Sequence, residues 1–395
     1  GFGMKWVMNV SNAFHSGNRT GIQRVVRAVV AHFLSVQASG ACDVVLVVGE
    51  GGGLCTLPAT EALRWLAGER VSVSEPWLPS DLAAGDWFVD LDASWGDGLD
   101  LELLWLDLKR AGVCVAKVHY DAVPLLFPAF SHENTVYRFA ENFSACLGLV
   151  DHWFCISEQV GRDLVRLCGL YGVGVPAWSL MPLGCDMEAG VAGRGAAVAA
   201  EPILALLASG TFAVCVATLE PRKNHALLLD AFDAWVAEGT TGCDALVLVG
   251  KQGWNVAGLV QRIKAHPLFN RRLFWVDDAS DALVRALFGR ALFSINLSHY
   301  EGFGLPVVEA LALGCPVICS DHGAMAEAAR GAACLVSLDV PSVLGAMRQL
   351  SDPQARLPFV SLARAFEPLT WADALTMWSQ GLQALSQCRD VCGLP

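Results

Sequence analysis

Glu301 and Glu309 stand with seven residues between them in Tyr300-Glu301-Gly302-Phe303-Gly304-Leu305-Pro306-Val307-Val308-Glu309. A carboxylate accepts hydrogen bonds well from sugar hydroxyls. The glycine-bearing turn between the two opens onto an apolar helical run. A helix N-terminus offers unpaired N–H groups and the positive end of the dipole, which suits a phosphate. A phosphate flanked by sugars describes a sugar nucleotide. Pro306 suits the first helical position, where its missing N–H has no partner to lose.

Other residues with usable chemistry also follow strand-like runs. In Thr218-Leu219-Glu220-Pro221-Arg222-Lys223-Asn224 the cations Arg222 and Lys223 precede a helix start. His119 and Asp121 lie in Lys117-Val118-His119-Tyr120-Asp121, at the carboxyl end of a strand. The first loop, Ser16 to Arg24, carries Gly17 and Gly21 four apart and opens a helix, a place for an anion, with Arg24 within reach of a phosphate or an acceptor sugar. Lys251 follows another strand, and Trp275-Val276-Asp277-Asp278 closes one more. Asp90-Leu91-Asp92 is a DxD pair. It would hold a divalent cation in some folds; here it reads as a strand end and turn, or as an acceptor-facing wall with Trp95.

The elements that must position these residues alternate. Strand-like runs cover 5–10, 43–48, 87–92, 113–118 and 153–156, then 212–217, 245–249, 273–276, 292–297 and 316–319, closed by Ser320. Helix-like runs cover 21–36, 99–110 and 158–167, then 227–237, 256–265, 281–288, 306–313, 340–350 and 370–385. Ile22, Val25, Val26, Val29, Val30 and Phe33 make one apolar stripe. Such alternation implies an α/β chain with mostly parallel sheets covered on both faces. The expected division is 1–185, a linker over 186–202, 203–368, and a last helical segment, 369–395. In open α/β sheets ligands sit beyond the carboxyl ends of the strands.

The run Glu301–Glu309 resembles the E-x7-E element of the retaining glycosyltransferases of family 4, and the resemblance extends over about residues 5–385. It implies the GT-B fold, two Rossmann-like domains facing across a cleft, with the last helix crossing back to the first domain. It implies Glu301 near the donor-sugar hydroxyls, the backbone of Gly302, Phe303, Gly304 and Leu305 near sugar and phosphates, and Glu309 on the ribose. It assigns Lys223 to the donor diphosphate, puts Gly17 and Gly21 near that phosphate and the acceptor, and puts His119 and Asp121 beside the donor sugar. Lys251 matches a turn near the nucleotide. Thr218 stands where some relatives carry a second cation. Thr-Gly-Ile-Gln-Arg at 20–24 is similar to a variant among polysaccharide mannosyl- and rhamnosyltransferases. The implied donors are GDP-mannose or a GDP- or dTDP-linked 6-deoxyhexose, and the implied acceptor is a glycan or lipid-linked glycan. The fold neutralises phosphate without a metal, so neither metal nor cofactor is expected.

Bulk properties fit. The 395 residues are 54% hydrophobic and 17% charged, with net charge -12 and no basic run, which excludes nucleic acid as the main partner. The 14 cysteines show no CxxC pair and read as buried thiols. Residues 4–10 read as a strand rather than a leader, and 202–219 as helix, turn and strand rather than a membrane span. A cytoplasmic protein is expected, with peripheral contact with the inner membrane or with other polysaccharide-assembly enzymes left open. Two other readings share the fold: a nucleotide-sugar epimerase, and a non-catalytic binding module.

Overall fold

The computed structural model describes residues 5–17, 21–40, 43–92, 100–186, 201–239 and 242–387. The chain forms two compact units. One comprises Gly1–Gly184 with Trp371–Pro395, the other Cys185–Thr370. Trp95 and residues 187–200 of the expected linker lie outside the described residues.

The first unit holds β1 (Lys5–Asn9), β2 (Asp43–Glu50), β3 (Gly53–Leu57), β4 (Pro76–Trp77), β5 (Trp87–Asp90), β6 (Cys114–His119), β7 (His152–Cys155) and β8 (Trp178–Leu180). Their order in the sheet is β4-β3-β2-β1-β5-β6-β7-β8. From β2 through β8 neighbours are parallel. All residues of β5, β6 and β7 are buried, as strands covered by helices on both faces must be. The helix Ile22–Ala38 buries the stripe Val25, Val26, Val29, Val30 and Phe33.

β3 and β4 add an antiparallel edge that the alternation of strands and helices does not announce. Its signal is local. Glu50 pairs with Gly53 across Gly51 and Gly52, whose φ angles are +62° and +84°. Such a two-residue hairpin turn needs positive φ at both central positions. The helix Glu133–Leu147 is a second element absent from the expected set. It buries Phe139, Phe143 and Cys146, and the His132 side chain caps it by accepting from Asn134 N.

The last helix, Trp371–Gln387, is part of this first unit. Trp378, 2% exposed, donates its indole N–H to Pro182 O at 3.1 Å. A Cβ on Gly184 would lie 2.4 Å from Trp371 Cα. The chain thus leaves the unit and re-enters it through two segments in van der Waals contact.

The second unit is wholly parallel: β9 (Phe212–Val216), β10 (Ala245–Val249), β11 (Leu273–Val276), β12 (Phe293–Asn296), β13 (Val317–Ser320) and β14 (Cys334–Val336), in the order β11-β10-β9-β12-β13-β14. Alternate residues feed two cores. Val214, Val247, Leu311 and Val317 pack on one face, and Phe232, Trp235, Leu246, Ile295 and Met347 on the other. The strand order reverses at β9/β12, and in the first unit at β1/β5. Loops at such reversals open a crevice where ligands bind. The segment carrying Arg222 and Lys223 follows β9, and the turn carrying Glu301 follows β12.

Ten of the described cysteines are free. Cys114, at the head of β6, is disulfide-bonded, which corrects the reading of every cysteine as a thiol; no spacing in the sequence marks it. Among the described residues no helix is long and apolar enough to cross a membrane.

Candidate active site

In the second unit Glu301 is gripped from three directions. Lys223 Nζ donates to Oε1 at 2.5 Å, Arg222 Nη1 donates to Oε2 at 3.1 Å, and Ser298 Oγ donates to Oε1 at 2.8 Å. Burial alone would raise this carboxyl. The charges of Lys223 and Arg222 and the hydrogen bonds from Lys223 and Ser298 outweigh it and hold the group at about 2. Glu301 is therefore an anion at any physiological pH.

The backbone fixes this arrangement. Arg222 Nη1 also donates to Tyr300 O at 2.9 Å, and Arg222 O accepts from His299 N at 2.9 Å. Asn224, left-handed with φ +60°, donates its side-chain amide to Leu297 O at 3.1 Å. Asn296 bonds Val216 O at 3.2 Å and ties β12 to β9. Ser320 Oγ donates to Ser298 O at 2.9 Å. Two loops from neighbouring strands are thus stitched residue by residue.

The helix Leu305–Ala312 begins one residue earlier than Pro306 suggests, so Pro306 takes the second helical position, where an N–H is equally unneeded. Its N-cap is Gly304, left-handed with φ +92°. A Cβ there would meet Met325 Cγ at 3.0 Å and Met325 Cα at 3.1 Å, so the turn lies flat against the neighbouring helix, Gly323–Ala329. Pro306 has no N–H and Val307 N donates to Gly304 O at 3.1 Å, so a ligand at this helix start would meet the N–H of Leu305 and those of the turn before it. Glu309, four residues into the helix, is 7% exposed.

The first unit has a cavity of about 150 Å³ at the carboxyl end of β6. Ile22, Asp92, Lys117, His119, Asp121 and Asn142 are among its lining residues. His119 is 3% exposed and its Nε2 has no partner among the described residues. Burial, aided by the Lys117 charge, pushes its pKa down to about 3, so it is a neutral imidazole. Trp153 stands edge-on to it with ring centroids 5.4 Å apart. Asp121 accepts from Val123 N at 3.0 Å. The DxD carboxylates are engaged: Asp90 by Lys117 at 2.7 Å and Asn9 at 3.3 Å, Asp92 by Ala13 N at 2.6 Å. Gly21, with φ +60°, is the N-cap of Ile22–Ala38; Gly17 is exposed and Arg24 half-buried.

The family pattern described as "Glycosyl transferases group 1" matches residues 204–342, which include both Glu301 and Lys223. Residues 204–342 are a group 1 glycosyltransferase domain. Over 346 residues, 86% of this chain, the sequence is 31% identical to "Serotype-specific mannosyltransferase WbdA" of Escherichia coli. The chain spans 41% of that relative's length. It is 35% identical over 118 residues, 29% of the chain and 30% of the relative, to "O-antigen chain mannosyltransferase B" of Escherichia coli. The fold is GT-B. Solved structures of Anabaena HepE in complex with UDP and glucose (TM-score 0.61, 14% identity, 96% of this chain and 100% of that one) share it. So does sucrose-phosphate synthase from Thermosynechococcus elongatus (TM-score 0.64, 15% identity, 98% and 100%).

Within the glycosyltransferase domain, Glu301, Arg222 and Lys223 converge, and Gly302, Phe303, Gly304 and Leu305 form the turn beside them. Lys251 is exposed after β10. Ser298 was not among the residues expected from sequence; its signal was the three-residue reach back from Glu301 on the same turn. In the first unit, sequence reasoning named His119 and Asp121 but missed Ile22 and Asn142. Asn142 sits on the helix Glu133–Leu147, and a missed helix hides its residues.

Proposed function

We propose that this chain is a retaining glycosyltransferase that moves a hexose from a nucleoside-diphosphate sugar to a hydroxyl of a glycan or lipid-linked glycan. The observation that carries the reading is the Glu301 carboxylate, held anionic by Lys223 and Arg222 on the glycine turn that leads into the helix Leu305–Ala312. Anion-binding donors and a hydroxyl-accepting carboxylate occupy one turn.

Gly302, Phe303, Gly304 and Leu305 present backbone N–H groups to the sugar and diphosphate, with Lys223 as the diphosphate's cation, the donor-sugar hydroxyls falling to Glu301 and the ribose to Glu309. Departure of the diphosphate builds negative charge that these preorganised donors stabilise. The leaving phosphate takes the acceptor proton as the acceptor attacks from the same face, so no protein base is assigned. Gly17, Gly21, Lys251 and Asp121 serve donor binding, and Arg24 and Trp95 the acceptor side. His119, a neutral imidazole among the residues lining a small cavity, bonds a sugar hydroxyl.

GDP-mannose is the favoured donor, in keeping with the mannosyltransferase relatives; GDP- or dTDP-linked 6-deoxyhexoses come next. A metal-independent reaction is the reading we favour; that Asp90 and Asp92 bond Lys117, Asn9 and Ala13 supports it. A lipid-linked acceptor would bring the enzyme to the cytoplasmic face of the inner membrane, beside other polysaccharide-assembly enzymes.

Incubation with labelled GDP-mannose, GDP-fucose, dTDP-rhamnose and UDP-glucose tests this. Transfer or slow hydrolysis of one donor supports the reading. Isomerisation without release of the diphosphate would make the chain an epimerase, and binding without turnover a binding module.

A further inference from the structure

Arg222 and Lys223 are adjacent in sequence and hold the same carboxylate, but in different ways. Arg222 Nη1 bonds both Tyr300 O and Glu301 Oε2, and its own carbonyl is held by His299 N. Its guanidinium is a planar fork locked to the backbone of the turn. Lys223 is a point charge on a flexible four-carbon stem, and its side chain reaches one acceptor, Glu301 Oε1. That oxygen has a second donor, Ser298 Oγ, at 2.8 Å. If Lys223 moves away, Oε1 keeps Ser298 and Oε2 keeps Arg222. The buried carboxylate is not stranded, which would otherwise be costly.

We propose that the two cations divide the work: Arg222 stays on the Glu301 turn as a positioning residue, and Lys223 exchanges Glu301 for the diphosphate of the entering sugar nucleotide, which opens Oε1 to a donor-sugar hydroxyl. The proposal rests on the nucleotide-sugar reading above. Without a donor, Glu301 acts as an internal counter-ion that competes for Lys223. A nucleoside diphosphate without its sugar must displace that competitor and gains no compensating contact to Oε1. The intact donor does gain one. The exchange therefore makes the site favour nucleoside diphosphates that carry a sugar over those that do not.

Calorimetric titration of GDP, UDP and dTDP into the full chain tests the exchange, using the wild type, Glu301→Gln, Lys223→Met and the double variant. Removing the competitor should tighten the preferred diphosphate about tenfold in Glu301→Gln, the scale of one charge-assisted hydrogen bond. Lys223→Met should weaken it by about the same factor, and adding Glu301→Gln to Lys223→Met should bring no gain. Glu301→Asp, whose shorter side chain draws the carboxylate away from Lys223, should tighten binding less and guards against misfolding of the glutamine variant. Arg222→Gln should leave diphosphate affinity within about twofold while kcat falls and the acid limb of the pH profile moves up, with partial recovery in Arg222→Lys. If no diphosphate binds the wild type, the nucleotide-sugar reading itself fails. If one binds, depends on Lys223, and is not tightened by either Glu301 variant, the exchange is overturned and the reading stands.

Discussion

The Lys117 ammonium lies 2.7 Å from the Asp90 carboxylate inside the first unit, with side-chain exposures of 9% and 0%. Asn9 and Ser11 extend the contact: Asn9 Nδ2 donates to Asp90 Oδ1, and Ser11 N donates to Asn9 Oδ1 at 3.2 Å. The first carboxylate of the DxD pair is thus the anchor of a buried polar network joining β1, β5 and β6. Asp90→Ala should destabilise the protein by about 3–5 kcal/mol, because it strands a buried cation. Asp90→Leu with Lys117→Met should recover most of that loss. Thermal unfolding of the wild type and the two variants decides it.

The same occupancy bears on metals. Activity should survive EDTA, since Asp90 is already neutralised by Lys117 and Asp92 accepts from Ala13 N. Full loss restored by Mn²⁺ or Mg²⁺ would return Asp90 and Asp92 to a ligand role.

Acid should weaken the fold in two stages. His119, His152 and His225 are held neutral by burial, at about 3, 4 and 4. Their folded values lie below the unfolded value near 6.5, so the unfolded chain takes up protons first as pH falls. The stability they carry is complete above about pH 6.5 and is lost as pH falls toward their folded values. Glu301, held at about 2, adds a second loss below about pH 4.5. Melting temperatures from pH 8 to pH 3 should show the first decline starting near neutrality, and His225→Phe should flatten it.

Glu301→Ala should cut transfer by about 10²-fold or more while circular dichroism remains that of the wild type. Unaltered turnover in a folded variant would remove Glu301 from the site.

At Gly304 any side chain meets two obstacles, a left-handed backbone and the wall of Met325. Gly304→Ala should cost about 1–3 kcal/mol and lower the affinity for a sugar nucleotide, because the turn must lift from the helix Gly323–Ala329. Titration of the variant beside its melting curve separates the two effects.

How much of this was legible in sequence differs between the units. In the second unit the strands are continuous apolar runs and the loops carry glycine, proline and charge. The turn at Glu301 and the cations at 222–223 could be read directly, but their pairing could not, since nothing local brings residue 223 to residue 301. In the first unit the antiparallel edge was hidden because β3 is five residues long and only partly buried. The Gly51-Gly52 turn was its one clear mark. The helix Glu133–Leu147 was hidden by polar residues between Phe139 and Phe143, and Asn142 with it. Asp90 was read as a strand end, which it is, but its partner could not be read, since Lys117 lies 27 positions away.

The buried cysteines make this protein its own reporter of unfolding. Burial drives Cys146 and Cys155 in the first unit, and Cys215, Cys243, Cys315 and Cys319 in the second, up to about 12. A thiol reagent at neutral pH finds almost no thiolate and no access at these sulfurs in the native state. Each reacts only when its surroundings open. Pulsed alkylation followed by peptide mass spectrometry would therefore time the opening of each unit separately, with no engineered label and no assumption that the two melt together.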